Sequence, residues 1–322
     1  LMTHYPIFAA DSLEGKHLLE ALSEWEAAPT TLRLYSAAAY DAEPAMYRGR
    51  PLDFRPLDEA DFSAVDVAVF MPGEPLPQLV DAAESAGCVV VDAANVLSQR
   101  GDVPVFCAGS ELAEGKKRVA IADAVSSHVY ALLAQLPTPQ RIDLAVAQPV
   151  SSAGSNGVET LAAETARLLN AQSLESSQLP AQIAFNVLPL TADNSADIEH
   201  NLATLLTQGR GEFAQVHCQA MLAPVFYGHC TLLRAEFGDA VAAAQWREQL
   251  LVNDVFRLRD GNAEALASPA GLQGSETIDI AEWAVDRRDE RVLRATIVAD
   301  NLRKGAALNI IEALKILIKT DT

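Results

Sequence analysis

The chain has 322 residues, a length typical of about two domains, each large enough to bury its own core. Half of the residues are apolar, 21% are charged and no window approaches about 18 uninterrupted apolar residues, which argues against an integral membrane protein and against a disordered chain. The formal net charge is −19, and because nucleic-acid binding requires basic side chains, we expect no nucleic-acid partner. Local residues would have to hold any anionic cofactor or substrate against this charge.

The cysteine pattern favours a reducing compartment. The four cysteines form no CxxC pair, and no His/Cys cluster has the spacing of a zinc site. The first ten residues lack the basic flank and apolar run of a signal peptide. We therefore expect structural thiols, no bound metal, and a cytoplasmic protein without a membrane partner.

The first 125 residues alternate short apolar runs with helical patterns. Strands are predicted at residues 5–10, 65–70, 88–92 and 118–122, and helices at 16–25 and 76–86. Strands separated by helical segments of about ten residues are typical of βαβ units and a parallel sheet. This half is therefore predicted to be a doubly wound α/β domain, followed by a turn at 123–127 and a helix through residue 136.

From residue 141 onward the predicted strands are longer. They lie at 142–147, 214–222 and 226–237, interleaved with helices at 157–170, 198–207 and 240–251. This order favours an α+β domain with a mostly antiparallel sheet. Residues 302–319 form one predicted amphipathic helix, because Leu308, Ile311, Leu314 and Ile318 recur at three- and four-residue intervals.

Four segments resemble the aspartate-semialdehyde dehydrogenase family, and most closely its Usg-type paralogous branch. They read QPVSSAG at 148–154, QIAFNVLPL at 182–190, PVFYGH at 224–229 and DNLRKGAALN at 300–309. They occur in the order that the family shows and at about its spacing. The resemblance covers nearly the whole chain.

The resemblance implies a Rossmann-type domain over residues 1–127, a dimerising α+β domain over 128–301 and a C-terminal helix over 302–322 that packs on the first domain. It also implies a homodimer and an ancestral reaction in which NADPH reduces an aspartyl phosphate. Asn301 and Gly305 match family positions on the cofactor side. The chain itself has to supply the groups for that chemistry, since a fold does not establish an activity.

The nucleotide loop is degenerate in this sequence. The family pattern GxxGxxG falls on Ala9, Ser12 and Gly15, so only the last glycine remains. Asp11 adds a carboxylate where a helix N-terminus would otherwise present N–H groups to a phosphate. We expect weak or absent NADP binding; the alternative role of Asp11 or Ser12 is to cap the following helix.

The family's nucleophile motif, approximately IANPNCST, aligns with residues 121–128. Ser126 stands at the position of the cysteine, and Val125 replaces the asparagine that helps to stabilise the oxyanion. A serine hydroxyl requires a dedicated base, which His229, at the position of the family's catalytic histidine, would have to supply. The alternatives are that Ser126 is a helix-capping or turn residue and that His229 is a packed structural histidine.

The substrate positions that the resemblance implies are also altered. Leu222 stands where the family has a bidentate arginine, and Ser98 stands where it has a phosphate-binding arginine. Gln148 and Glu199 match substrate-side positions, and Asn201 stands at the position of a lysine. The alternative for Glu199 is a place on a solvated helix face.

Three functional hypotheses follow. The first is a catalytically degenerate, homodimeric relative of aspartate-semialdehyde dehydrogenase. The second is an active NADP-dependent oxidoreductase of amino-acid biosynthesis that acts on another aldehyde or acyl phosphate. It would use Cys107 or Cys230 as nucleophile, with Arg100 or Arg118 as substitute cation. The third is a serine hydrolase built on Ser126 and His229, although the sequence offers no GxSxG elbow.

Overall fold

The computed structural model describes residues 5–73, 76–113, 115–174, 178–211, 214–259 and 266–318. The chain divides into two units, of which unit 1 comprises Leu1–Ala122 with Ala306–Thr322 and unit 2 comprises Asp123–Gly305. The first division lies five residues before the boundary at 127/128 given by the resemblance. No helix in the described ranges has the length and apolar character that a membrane span requires.

Unit 1 contains a seven-stranded, entirely parallel sheet in the order β5-β2-β1-β6-β7-β9-β8. Its elements are β1 (Tyr5–Phe8), α1 (Leu13–Glu24), β2 (Leu32–Tyr35), the hairpin β3 (Ala45–Tyr47) and β4 (Arg50–Leu52), β5 (Phe54–Arg55), β6 (Val67–Phe70), α2 (Pro77–Ser85), β7 (Val89–Asp92), β8 (Val105–Phe106) and β9 (Arg118–Ile121). The strand order proceeds outward from β1 in both directions, which is the doubly wound, Rossmann-type topology. The prediction of fold class for this half is confirmed.

Unit 2 contains a second seven-stranded sheet in the order β11-β12-β10-β13-β16-β15-β14. Its elements are α3 (Ala124–Leu133), β10 (Arg141–Gln148), α4 (Gly154–Leu169), β11 (Leu188–Pro189), α5 (Ala192–Arg210), β12 (Gln215–Leu222), β13 (His229–Glu236), α6 (Ala243–Leu251), β14 (Phe256–Leu258), β15 (Ile278–Val285) and β16 (Val292–Ala299). Among the strand pairs of the described residues in this sheet, only β10/β12 and β14/β15 are parallel. The prediction of an α+β unit with a mostly antiparallel sheet is confirmed.

The sheet of unit 2 has one buried face and one open face. Along β12, Cys218, Ala220 and Leu222 are buried whereas Gln219 and Met221 are exposed, as the period of two in a strand requires. The strand register places the residues of the open face beside one another across β12, β10, β13 and β16. They include Asp143, Ala145, Gln219, Met221, Leu232, Arg234 and Thr296.

The final helix differs from the prediction. Residues 303–307 form a π-helical turn, and the α-helix α7 (Leu308–Leu317) follows it. The wide turn is closed by a hydrogen bond from the Gly305 N–H to the Asp300 carbonyl (3.2 Å), five residues back. Helix α7 contacts α1 within unit 1, where Ile310, Ile311 and Leu314 enter the apolar core. Residue 319, the last of the predicted helix, lies outside the described residues.

Candidate functional site

Asn301 links three of the segments that carry the family resemblance. Its Oδ1 accepts the Gly228 N–H (2.8 Å), and its Nδ2 donates to Ser151 Oγ (3.1 Å). The side chains of Asn301 and Ser151 are buried. The amide that sequence analysis placed on the cofactor side therefore holds together the loop before β13, the turn before α4 and the end of β16.

Gly305 is held by close packing inside unit 2. A Cβ at this position would clash with the Cβ of Ala124 and would lie 3.2 Å from Cε1 of His128. Only glycine leaves room for the backbone to approach the start of α3 so closely. Gly305, which sequence analysis also assigned to the cofactor side, thus has a packing role.

Asp123 caps helix α3. Its Oδ1 accepts the Ser126 N–H (2.9 Å), while its Oδ2 accepts the Ser126 hydroxyl (2.5 Å) and Asn201 Nδ2 (3.1 Å). The alternative that Ser126 is the capping residue is therefore wrong, because the carboxylate of Asp123 occupies that role. Ser126 is fully buried, and its hydroxyl lies 3.1 Å from the carbonyl of Ile198 on α5.

His229 is paired with a second histidine, which sequence analysis missed. Its Nε2 lies 2.7 Å from His128 Nδ1, and its Nδ1 lies 3.0 Å from Thr231 Oγ1. The two ring planes lie 17° from parallel with their centroids 5.0 Å apart, so the rings meet edge to edge in nearly one plane, as an N–H···N bond between them requires. The only sequence signal was a histidine at residue 128, where the family motif ends in threonine.

Burial keeps both imidazoles neutral at pH 7. It lowers the pKa of His229 to about 4. The pKa of His128 is also well below its usual value, first because of burial and then because of the neighbouring His229 and the positive charge of Lys304. His128 Nε2 and Asn201 Oδ1 are buried without a hydrogen-bond partner among the described residues.

Ser126 and His229 do not form a hydrogen-bonded dyad in this structure. The hydroxyl of Ser126 bonds to Asp123 and Ile198, whereas the ring of His229 bonds to His128 and Thr231. Residues 126 and 128 are two positions apart on α3, or about 200° around the helix, so their side chains leave it in nearly opposite directions. The two residues predicted for nucleophilic chemistry are thus bonded to different groups.

The substrate positions in unit 2 are occupied by structural contacts. Leu222 is buried in an apolar cluster with Ile183 and Leu188, and it pairs in register with Gln148. Glu199 is only partly exposed, and its Oε1 accepts the Cys218 N–H of β12 (2.7 Å). The alternative of a solvated helix face for Glu199 is therefore wrong, because its carboxylate ties α5 to the sheet.

In unit 1, the loop after β1 lacks two of the three glycines of the family pattern, yet it retains a left-handed residue and a tightly packed glycine. Ala9 has φ 52°, a left-handed conformation that is rare for a residue with a Cβ. At Gly15, a Cβ would lie 2.6 Å from the Ala10 carbonyl oxygen, so this glycine is required where α1 packs against the loop. Ser12 caps α1, as the alternative from the sequence had it.

The residues of this loop do not fit a dinucleotide pyrophosphate. The N–H groups of Ala10, Ser12 and Gly15 donate to Tyr35 O (3.3 Å), Ala9 O (3.1 Å) and Ser12 Oγ (3.1 Å), respectively. A pyrophosphate at the start of a helix requires such donors for itself. Glu14, in the first turn of α1, places a second carboxyl near Asp11, and desolvation raises the pKa of Glu14 to about 7.

The two arginines considered as substitute cations are paired with carboxylates inside unit 1. Arg100 bonds to Asp81 (2.9 Å) and Glu84 (2.8 Å), and Arg118 bonds to Asp102 (2.7 Å) and Glu84 (3.3 Å). By its place in the sequence, either arginine was a candidate to replace a substrate-binding arginine. Their positive charges are compensated locally, which counts against that role.

No disulfide joins the four cysteines, and burial disfavours their thiolate forms. Burial raises the pKa of Cys230 above its usual value. The pKa of Cys218 rises to about 12, mainly through burial and further through the charges of Asp123 and Glu199. Cys107 is completely buried. The described residues contain no group of three or more His, Cys, Asp or Glu side chains that could hold a metal ion.

Comparison with known proteins places this architecture among the semialdehyde dehydrogenases. The chain is 28% identical to aspartate-semialdehyde dehydrogenase 2 of Vibrio cholerae serotype O1, with 97% of each chain covered. It is 29% identical to aspartate-semialdehyde dehydrogenase of Legionella pneumophila over 97% of this chain and 94% of the relative.

A crystal structure of aspartate semialdehyde dehydrogenase II from Vibrio cholerae has the same fold, with a TM-score of 0.89, 23% identity and complete coverage of both chains. Residues 129–304 match the family described as semialdehyde dehydrogenase, dimerisation domain. The chain therefore belongs to the semialdehyde dehydrogenase family.

Proposed function

We propose that this chain is a catalytically inactive, homodimeric member of the aspartate-semialdehyde dehydrogenase group, of the Usg type. The observation that carries the proposal is the separate engagement of Ser126 and His229. The serine hydroxyl bonds to Asp123 and Ile198, and the imidazole bonds to His128 and Thr231. Neither group is positioned to activate the other.

The chemistry at residue 126 supports this proposal. A cysteine is partly thiolate near neutral pH, whereas a serine needs a base within hydrogen-bond reach. The nearest base of Ser126 is the carboxylate of Asp123, which is also bonded to the Ser126 N–H and to Asn201. Because the hydroxyl is fully buried, an acyl substrate could not reach it without a rearrangement of α3.

The positions for anionic ligands support it as well. Leu222 offers no charge or donor to a substrate carboxylate, and Ser98 is buried and hydrogen-bonded to Asn95. In the loop after β1, the N–H groups of Ala10, Ser12 and Gly15 are bonded within the protein. We therefore expect no specific binding of NADP.

The homodimer is proposed on the open face of the unit 2 sheet. Ala145 and the half-exposed Leu232 form an apolar centre, and Asp143 pairs with Arg234 beside it (3.3 Å). A face that carries both signs of charge around an apolar centre can pack against a second copy of itself. The match to a dimerisation domain supports this assignment.

The catalytic part of the proposal is tested by assaying the purified chain for NADP-dependent oxidation of aspartate semialdehyde in the presence of phosphate. An active family member serves as the positive control, and Ser126→Ala serves as the background. We expect wild type and Ser126→Ala to be indistinguishable. Turnover by the wild type well above Ser126→Ala would overturn the proposal.

The homodimer is tested by light scattering on the eluted protein. We expect a dimer for the wild type and a monomer for Leu232→Arg, because a charge would be buried at the centre of the interface. Leu251→Arg is the matched control, since Leu251 is a similarly exposed leucine on α6 and belongs to no strand of the open face. Dissociation by both variants, or by neither, would contradict this interface.

The two other hypotheses have less support. An oxidoreductase that uses Cys230 predicts one thiol that reacts rapidly with iodoacetamide, yet burial raises the pKa of that thiol. A serine hydrolase predicts labelling of Ser126 by a fluorophosphonate, yet the structure gives Ser126 no histidine partner. We expect uniformly slow thiols and no fluorophosphonate label, and either positive result would revive its hypothesis.

A further inference from the structure

The pairing of His128 with His229 is not explained by the loss of the cysteine nucleophile. A neutral imidazole has one donor and one acceptor nitrogen. In His229 both nitrogens are engaged, Nδ1 with Thr231 Oγ1 (3.0 Å) and Nε2 with His128 Nδ1 (2.7 Å). His229 therefore has no free ring nitrogen for a ligand.

The surroundings of His128 indicate which ring carries the shared proton. Its Nε2 is buried and has no hydrogen-bond partner among the described residues, and the positive charge of Lys304 acts on the same ring. A proton on that nitrogen would be an unpaired buried N–H on a ring that already feels the positive charge of Lys304, which costs more than an unpaired lone pair there. The proton of His128 is therefore assigned to Nδ1, which donates to His229 Nε2.

This assignment fixes the second ring as well. If His229 Nε2 accepts, its own proton lies on Nδ1 and is donated to Thr231 Oγ1. The missing Cβ of Gly305 leaves room for the first ring, since a Cβ there would lie 3.2 Å from Cε1 of His128. Packing and hydrogen bonding thus align two donors in one direction, from His128 through His229 to Thr231.

We propose that His128 is a built-in blocking group, whose Nδ1–H occupies the lone pair of His229 Nε2. That nitrogen is the one that a base at the position of His229 would use, because the other is held by Thr231. The inference rests on the proposed loss of catalysis. It adds that His128 is the residue that prevents the imidazole of His229 from acting as a base. His128 acts here as a positioning residue, since it contacts His229 and no reacting group.

The proton positions can be read directly in the wild type. Long-range 1H–15N correlation spectra of the uniformly labelled chain at pH 7 distinguish the two tautomers of each of its six histidines. His128→Asn and His229→Asn assign the two signals. We expect both rings to be protonated at Nδ1, and a proton on Nε2 of His229 would overturn the proposal.

Substitution of His128 gives a second, independent readout. We expect His128→Ala to raise the pKa of His229 by at least one unit, a tenfold gain in proton affinity, because the donor that stabilises the neutral ring is lost. We expect His128→Asn to keep the low pKa, since the Asn Nδ2–H replaces the Nδ1–H. His17→Ala, on α1 of unit 1, is the control.

An unchanged pKa of His229 in His128→Ala, or equal effects of the alanine and asparagine variants, would overturn the blocking role. If His128→Ala does not fold, the tautomers of the wild type still decide the question. These readouts are independent of turnover. Dehydrogenase activity in the wild type would overturn the proposed function, whereas the proton positions and the pKa of His229 in the variants decide the role of His128.

Discussion

The turn at Asn301 in unit 2 and the loop after β1 in unit 1 were both expected to serve a nucleotide cofactor, and they differ in what remains of them. The turn keeps both expected residues, and each contacts groups inside the protein. The loop keeps only Gly15, the one glycine whose missing Cβ is required by the packing of α1. The expected residues are thus present where packing against neighbouring protein atoms requires them. They are absent where only the binding of a nucleotide would require them.

The largest effects are expected from glycines that pack against backbone in either region. Gly15→Ala and Gly305→Ala should each lower the free energy of unfolding by about 3 kcal/mol or more, because the new Cβ collides with Ala10 or Ala124. Urea titration measures the loss. Gly101→Ala is the control, since a Cβ there meets no atom within 4 Å and should change stability by less than about 0.5 kcal/mol.

A mild effect of Gly15→Ala beside a severe effect of Gly305→Ala would break the comparison. It would show that the loop after β1 tolerates a side chain and that packing does not explain its last glycine.

Acid should destabilise unit 2 through the histidine pair. The pKa of His229 is about 4 in the folded chain against 6.5 ordinarily, so the unfolded chain binds more protons between these values. The free energy of unfolding should fall by roughly 3 kcal/mol as the pH falls from 6.5 to about 4. Urea titrations across this range check the slope, and His229→Asn should reduce it to the part that His128 contributes.

Glu14 in unit 1 should act in the opposite sense. Its pKa is raised to about 7, so the folded chain holds the proton more tightly and stability should fall as the pH rises from about 4.5 to 7. Glu14→Gln should remove this loss of stability with rising pH. It should leave unchanged the loss of stability in acid that comes from His229. If one substitution abolished both pH dependences of the unfolding free energy, they could not come from separate groups, Glu14 in unit 1 and His229 in unit 2.

Asn301→Ala should destabilise the chain by about 2–3 kcal/mol, because the Gly228 N–H and the Ser151 hydroxyl lose their buried partner. The urea midpoint measures this loss. Asn186→Ala is the control, since its side chain bonds only to Gln182 and Val187 in an exposed turn. Equal midpoints for the two variants would mean that the amide of Asn301 does not hold its turn.

The smallest effect is expected from Ala9→Gly. Glycine relieves the left-handed strain of about 1 kcal/mol, but it also gains freedom in the unfolded chain, so the net change should stay within about 0.5 kcal/mol. Calorimetric titration should still detect no NADP binding, because Ser12 continues to hold the Gly15 N–H. Micromolar binding by this variant would show that the lost glycine alone had disabled the loop.

The sequence was sufficient for the fold class because apolar runs and helical periods are local signals. Strands β1, β6, β7 and β9 lie within two residues of their predicted bounds, as the buried runs around Ile7 and Val69 allow. Short edge strands such as β5 and β11, with two residues each, carry no such period and were missed. The π-helical turn was missed because it depends on contacts outside its own segment.

The candidate site was less predictable because its contacts join distant parts of the chain. The bond between His128 and His229 spans 101 positions, and the bond between Ser126 and Ile198 spans 72. Spacing along the sequence carries no information on such pairs. The resemblance indicated which positions to inspect, whereas the partners of Asp123, Glu199 and Asn301 came only from the structure.

The return of the chain to unit 1 through α7 affects the order in which the two units can fold during synthesis. Unit 2 is continuous, and all of its residues leave the ribosome before α7 does. Unit 1 lacks Ile310, Ile311 and Leu314 of its core until the last described segment is synthesised. Although domains usually fold from the N-terminus onward during translation, this arrangement leaves the core of the first unit incomplete until the second has been synthesised.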